Sequence, residues 1–179
     1  MGQASSGLTQ YDMEELIAAA GGVFNQAEVE GLYKRFRSLD RGRKGYISGD
    51  EFLQIPELSI NPIAQRVVRV FESVNFKDYI RLVAPFSQRA TREAKLAAMF
   101  YVYDVDGDGL IGREDLALML RQLAGSSLSE EELHALVDMS MKEAGHEAAK
   151  IGGLNQTLFN RALEGVDLKG MTVEMPHEW

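Results

Sequence analysis

The stretch "DVDGDGLIGRED", residues 104–115, decides how the whole chain is interpreted. Glycine stands at its sixth position, Gly109, and allows the sharp turn that a chain needs to wrap around an ion. Hard divalent cations are held by about six to eight oxygen atoms, which alternating carboxylates can supply. The spacing therefore predicts a calcium-binding loop. Its acidic side chains fall at the first, third, fifth and twelfth positions: Asp104, Asp106, Asp108 and Asp115.

This spacing is that of the EF-hand motif, in which the seventh residue ligates through its backbone carbonyl. Leu110 holds that position, and Gly112 at the ninth has no side-chain oxygen, so a water is expected to ligate there. Asp115 is one methylene shorter than the glutamate that usually closes the loop, and it reaches the ion less easily with both oxygens. Losing one contact favours the six-coordinate geometry of magnesium. We therefore predict a mixed calcium/magnesium site.

The helix that leads into this loop has a counterpart upstream. The segment "EAKLAAMFYVYD" ends at Asp104, and "AEVEGLYKRFRSLD" ends at Asp40. Both place apolar residues at i, i+3, i+4 and i+7, as an amphipathic helix does. This self-similarity predicts repeated helix-loop-helix units, and the chain accommodates four of them, three with degenerate loops.

The loop of the first unit, "DRGRKGYISGDE" at residues 40–51, keeps the frame of the motif but loses its ligands. Gly42 and Lys44 replace two oxygen donors, and the basic residues repel a divalent cation. We predict that this loop is metal-free. We also hypothesise that the Lys44 ammonium lies between Asp40 and Glu51 as a built-in substitute for the ion.

The second and fourth units are degenerate in other ways. About seven residues, 72–78, stand where the second loop needs twelve, yet Val74 occupies the place of the apolar eighth residue. The fourth loop is predicted at 147–158, with alanine, isoleucine and leucine at ligand positions, while Gly152 and Leu154 keep the turn and the anchor. Neither unit is expected to bind calcium.

EF-hands pair because a lone helix-loop-helix cannot bury its apolar face. We predict that Ile47 pairs with Val74, and Ile111 with Leu154. The expected fold is all-α, with two EF-hand-pair lobes, a short N-terminal helix and an extended C-terminal tail. The predicted order is an N-terminal segment (1–24), a metal-free pair (25–84), a linker (85–91), a pair carrying the competent loop (92–164) and the tail (165–179).

Composition narrows the function. The net charge of −8 argues against nucleic acid as a partner and suits cations or basic partners. The chain has no cysteine, which excludes disulfides and thiolate chemistry. No run of about 18 apolar residues and no apolar signal segment is present, so we expect a cytoplasmic protein.

The two ends carry further signals. "MGQASS" fits the N-myristoylation pattern, with Gly2 as acceptor, but one acyl chain gives only marginal membrane affinity. Next comes a short helix capped by Thr9 and ended by Gly21 and Gly22. In the tail, apolar and polar residues alternate up to Trp179, as in an extended segment. The tail packs on its own domain or covers a groove that a partner occupies.

Three segments together resemble calcineurin B and the calcineurin B homologous proteins over nearly the whole chain. They are "LYKRFRSLDRGRKGYISGDEFLQIPELSINPIAQRVVRVF", "VNFKDYI" and "YDVDGDGLIGREDL". The most specific part is "IPEL..NP", residues 55–62, and the shortened second loop resembles that of plant and algal members. The resemblance implies a myristoylated accessory subunit, attached peripherally to membranes through its lipid and its partner. It also implies calcium ligation by Asp104, Asp106, Asp108, Leu110, Gly112 through water, and Asp115.

Members of this family clasp an amphipathic helix of a phosphatase catalytic subunit or of a sodium/proton exchanger, which makes a helix-holding regulatory subunit the leading function. The alternative is a free calcium sensor or buffer with calcium-dependent targets. No set of residues predicts catalysis, because the three histidines are scattered and no nucleophile with a base can be assembled from the spacing. The apolar helix faces are predicted both to pack in the core and to line the groove: Leu96, Met99, Phe100, Leu133, Leu136 and Val137.

Overall fold

The computed structural model describes residues 8–53 and 73–169. Gly2, the segment 55–62 and the tail beyond residue 169 lie outside the described residues. Most of the described chain is helical, as expected. Among these residues, no helix is both long enough and apolar enough to cross a membrane.

The first half of the described chain holds four helices and two short strands. Helix α1 is followed by α2, the strand β1 and α3, and the strand β2 is followed directly by α4. Their bounds are α1 Gln10–Ala19, α2 Gln26–Leu39, β1 Tyr46–Ser48, α3 Gly49–Leu53, β2 Ser73–Asn75 and α4 Phe76–Val83.

The second half holds five helices. Short 3₁₀ turns at Ala84–Phe86 and Gly125–Ser127 lie between elements. The helices are α5 Arg92–Tyr103, α6 Arg113–Ala124, α7 Glu130–Glu143, α8 Gly145–Ile151 and α9 Gln156–Ala162.

Several helices begin where local side chains satisfy their first free amides. Thr9 caps α1, as predicted, because its hydroxyl accepts from the amide of Asp12 and its amide donates to the Asp12 carboxylate. A reciprocal capping box also begins α7, between Ser129 and Glu132. These bonds fix the start of each helix independently of any metal.

Two separate clusters of buried residues form the cores. One unites α1, α2 and α4, with Val29, Ile47 and Ile80 fully buried. The other unites α5 with α9, where Phe100 and Phe159 meet edge to face with ring centroids 5.7 Å apart. The clusters lie on either side of residues 85–91, the segment predicted to be a linker.

Both predicted loop pairings are present. The strands β1 and β2 are antiparallel, and Ile47 lies opposite Val74. Ile111 and Leu154 form a single antiparallel bridge through two backbone hydrogen bonds of 2.8 and 3.0 Å. Each pair of helix-loop-helix units is therefore joined at its loops.

Candidate metal centre

The loop predicted to bind calcium joins α5 to α6. Its backbone enters the left-handed region at Gly107, with φ +76°, and at Gly109, with φ +87°. Side chains larger than hydrogen rarely adopt this conformation, so glycine is favoured at both turns. The turns fold the loop back and direct its acidic side chains toward one centre.

Three carboxylates meet at that centre. Each of Asp104, Asp106 and Asp108 offers an oxygen, and these oxygens all lie within 4.8 Å of one another. Amides of the loop hold all three carboxylates in place: Asp104 accepts from Gly107 at 2.9 Å, Asp106 from Asp108 at 3.1 Å and Asp108 from Leu110 at 2.8 Å. A cluster of like charges held by backbone donors suits a divalent cation.

The closing acid, Asp115, is placed differently. It is 5% exposed, and its two oxygens accept from the amides of Val105 and Gly112 at 2.9 and 2.8 Å. Asp115 does not belong to the cluster of three carboxylates. This is the geometry expected of a short side chain at this position, since it stays near the backbone of its own helix. Leu110, half-buried, and Gly112 remain predicted ligands through carbonyl and water.

One residue needed by this centre was missed from the sequence. A Cβ placed on Gly153 would lie 2.7 Å from the carbonyl oxygen of Ile111, inside van der Waals contact. Only glycine therefore allows the two loops to approach closely enough to form their bridge. The sequence signal for Gly153 is the pair "GG" at 152–153, because the EF-hand motif requires only the first of these two glycines.

The first loop lacks metal ligands and is closed by a lysine instead. The Lys44 Nζ lies 2.8 Å from the Glu51 carboxylate, which also accepts from the amide and hydroxyl of Ser48 at 2.8 Å. The buried Asp40 carboxylate accepts from the backbone amides of Lys44 and Gly45 at 2.8 and 2.7 Å. The hypothesis that the Lys44 ammonium lies between Asp40 and Glu51 is thus confirmed for Glu51 only. Asp40 accepts from the backbone amide of Lys44 instead.

Electrostatics agree with this closure. The Lys44 ammonium, with help from Ser48, lowers the pKa of Glu51 from 4.5 to about 2. The same hydrogen bond to Glu51 raises the pKa of Lys44. The ammonium also lies 4.7 Å from the centroid of the Tyr46 ring. A covalently attached cation therefore neutralises the loop.

The ion-free loop and the acidic loop share one backbone path. Arg43 and Gly45 have φ +51° and +83°, and they stand at the fourth and sixth positions, like Gly107 and Gly109 in the acidic loop. The sixth amide donates to the first aspartate in both loops, at 2.7 and 3.1 Å. The loop geometry of an EF-hand is thus retained without its ligands.

The fourth loop differs from its prediction. Residues 147–151 belong to α8 rather than to a loop, and Gly152, with φ +88°, ends this helix. Ala148 is fully buried, and its carbonyl accepts from the amides of Gly152 and Gly153. Without ligands to hold, the alanine-rich segment forms the helix that its residues favour.

The predicted groove residues are not all accessible. Four of them, Leu96, Phe100, Leu133 and Val137, are at most 8% exposed, and Met99 and Leu136 are half-buried. Core packing, the other role predicted for these faces, is therefore what the structure shows. Whether they also contact a partner stays a prediction.

Comparison with known proteins gives one consistent result. A family model described as EF hand matches residues 96–120, which contain the acidic loop. Calcineurin B of Naegleria gruberi is 38% identical, with 98% of this chain and all of the relative covered. Calcineurin B type 2 of Dictyostelium discoideum is 36% identical over 80% of each chain. Calcineurin B of Candida glabrata is 35% identical over 84% of this chain and 89% of the relative.

Proposed function

We propose, from the premise that this chain belongs to the calcineurin B family, that most of the molecule serves as a cradle for an amphipathic helix of a partner protein. The chain is a calcium-binding regulatory subunit and is not itself an enzyme. The observation that carries the proposal is the first loop, which is closed by Lys44 and still paired with β2. A frame that persists without an ion is suited to holding a partner constantly.

The metal site of this regulatory protein is the acidic loop. The chain binds Ca²⁺, and we assign the ligands to Asp104, Asp106, Asp108, the carbonyl of Leu110, a water at Gly112, and Asp115. Because Asp115 lies outside the carboxylate cluster, the site binds Mg²⁺ in competition with Ca²⁺. Calorimetric titration with calcium, with and without millimolar magnesium, tests this assignment. Calcium binding that magnesium does not weaken would contradict it.

The partner helix is expected from a phosphatase catalytic subunit or from the cytoplasmic segment of a cation/proton exchanger. A helix of about 20 residues covering roughly 600 Å² of apolar surface would gain about 15 kcal/mol before ordering costs remove most of it. The groove residues on α5 and α7 are largely buried, so the C-terminal lobe opens when the helix enters.

The decisive experiment measures binding of two synthetic helices, one from each partner class, with calcium and with a chelator. A cradle binds one of them in both conditions, with affinities within about tenfold of each other, or about 1.4 kcal/mol. Affinity lost on chelation would instead indicate a free calcium sensor. Binding to neither helix would contradict the proposal itself.

Attachment to membranes is a separate part of the proposal. Gly2 is the expected myristoylation site, and the protein is expected in the cytoplasm and peripherally at membranes. One myristoyl chain gives an association constant of only about 10⁴ M⁻¹, so the bound partner supplies the remaining affinity. Intact-mass measurement of the chain purified from its native cells tests the modification, and a Gly2→Ala chain gives the unmodified mass for comparison.

A further inference from the structure

The first loop and the end of α2 concentrate positive charge in an acidic protein. Residues 34–44 contain six basic side chains and one acidic side chain, whereas the whole chain has a net charge of −8. None of these basic side chains serves as a metal ligand, and only Lys44 takes part in closing the loop. The others therefore need a separate explanation.

Three arginines of this segment lack a carboxylate partner within the described part of the chain: Arg37, which donates to the Tyr33 hydroxyl at 3.5 Å, Arg41 and Arg43. The remaining described arginines are otherwise engaged. Arg92 donates to backbone carbonyls at the end of α9, including that of Val166 at 2.8 Å, and Arg35 has interactions of its own. The arginines in ion pairs with carboxylates are Arg81, Arg89, Arg113, Arg121 and Arg161.

Two of these three arginines, which have no carboxylate partner, line the same cleft. Arg37 and Arg43 line a cavity of about 270 Å³ together with Tyr33, Phe36 and Phe76, which supply aromatic walls. Arg41, two residues from Arg43 in the same loop, does not line it. Of these two neighbouring arginines, Arg43 therefore lines the cavity and Arg41 does not.

The acidic group in the cleft is already satisfied. Asp40 lines the cavity, but it is 2% exposed and each of its oxygens accepts a backbone amide. The other charged residues that line the cleft are Arg37 and Arg43. Since Asp40 is already bonded to backbone amides, these two guanidinium groups are left to face an anionic ligand.

The backbone places Arg43 at the cleft in an unusual conformation. Its φ of +51° is the only positive value of a non-glycine residue among the described residues, and the acidic loop has Gly107 at the same position. A glycine here would relieve the backbone strain but would remove a guanidinium from the cleft. The loop path thus sets the backbone conformation of Arg43, and its side chain lines the cavity.

We propose that this cleft binds a phosphate dianion presented by a phosphomonoester. Arg37 and Arg43 supply guanidinium forks, which match the oxygens of phosphate in pairs, and their two charges balance the dianion. The rings of Tyr33 and Phe76 contact the group that carries the phosphate. The residues of this site are not those of the metal centre.

The test is an NMR titration of the ¹⁵N-labelled full chain, without added calcium, with phenyl phosphate, inorganic phosphate and benzoate at constant ionic strength. The amides of Arg43 and Gly45 are expected to shift saturably with phosphate and with phenyl phosphate. Tighter binding of phenyl phosphate indicates an aromatic carrier, and equal binding indicates free phosphate; both support the site. Benzoate binding as tightly as phenyl phosphate would overturn the assignment of a dianion.

Matched variants distinguish a site from general attraction. Arg37→Gln and Arg43→Gln are each expected to weaken phosphate binding by about tenfold or more, whereas Arg41→Gln changes it less than about twofold. All three side chains are exposed, so the variants keep the fold, which unchanged amide shifts of α1 and α4 in the same lobe confirm. Equal losses in the three variants, or no saturable shift in the parent chain, would overturn the proposal.

Discussion

At the scale of single residues, the two loops differ in the reach of the side chains that close them. Asp115 sits at the closing position with both oxygens bonded to backbone amides, outside the cluster formed by the other three aspartates. In the first loop, by contrast, the long side chain of Lys44 reaches the closing Glu51. Each of these two residues leads to a prediction.

Asp115→Glu is predicted to increase calcium affinity by about tenfold, equivalent to about 1.4 kcal/mol. The added methylene lets both carboxylate oxygens reach the ion, which favours the larger coordination number of calcium over magnesium. Calcium titrations of both chains in millimolar magnesium measure the change. Asp138→Glu, on the exposed surface of α7, is the control and should leave the affinity unaltered.

Lys44→Gln is predicted to raise the pKa of Glu51 from about 2 toward 4.5. Since the folded-state pKa lies below the unfolded value, this carboxylate stabilises the fold fully above pH 4.5, and the contribution is lost as the pH falls toward 2. The variant should therefore lose less stability over that range than the parent chain. Carbon-detected NMR titration of Glu51 and urea unfolding from about pH 6 to about pH 2 measure both effects.

Lys142→Gln removes an exposed lysine of α7 and serves as the comparison. A Glu51 pKa that stays near 2 in Lys44→Gln would show that Ser48, not the ammonium, holds the carboxylate.

At the scale of elements, close approach of two loops joins the last two units. The bridge between Ile111 and Leu154 depends on the absence of a side chain at Gly153, whose Cβ would meet a carbonyl oxygen at 2.7 Å. Backbone atoms cannot yield as a flexible side chain can, so the loops would have to separate.

Gly153→Ala is predicted to destabilise the C-terminal lobe by about 1–3 kcal/mol and to weaken calcium binding, since the bridge begins one residue before Gly112. Thermal unfolding and calcium titration are the measurements. Gly165→Ala is the matched control, because its added methyl would meet no atom within 4 Å. Equal effects of the two substitutions would show that the bridge does not constrain the metal loop.

Sequence patterns predicted elements well where the determinants are local. The predicted cap Thr9 and the predicted anchors Ile47 and Ile111 are present, because each depends on neighbours within one turn or on fixed motif spacing. The helix α8 was missed because a motif template was extended over a segment that no longer binds an ion.

Contacts between distant parts of the chain could not be predicted in this way. The close approach at Gly153 joins segments far apart in sequence, and so do the hydrogen bonds of Arg92 to carbonyls after α9. No local spacing of residues predicts these contacts. In the metal centre, spacing identified the three clustered carboxylates but not the position of Asp115, which depends on how α6 begins.

At the scale of the whole molecule, the two cores adjoin loops of different kinds. The core of α1, α2 and α4 surrounds a loop closed by Lys44, whereas the core of α5 and α9 adjoins the acidic loop. Repulsion among Asp104, Asp106 and Asp108 is relieved only when a cation binds.

Chelation is therefore predicted to destabilise only the C-terminal lobe. Removing calcium held at about 100 times its dissociation constant should cost that lobe about 2.7 kcal/mol. Hydrogen exchange measured by mass spectrometry should rise in residues 92–164 on addition of a chelator and stay unchanged in residues 25–53. Faster exchange in both lobes would show that they unfold as one unit.

The lysine closure of the first loop has a consequence for signalling. The occupancy of a loop by a dissolved ion depends on the ion concentration, but the Lys44 amine is tethered to the loop and cannot diffuse away. The closure of the first loop by Lys44 therefore does not depend on the calcium concentration. One end of the protein thus holds a permanent state, and the other end varies with the concentration of the ion around it.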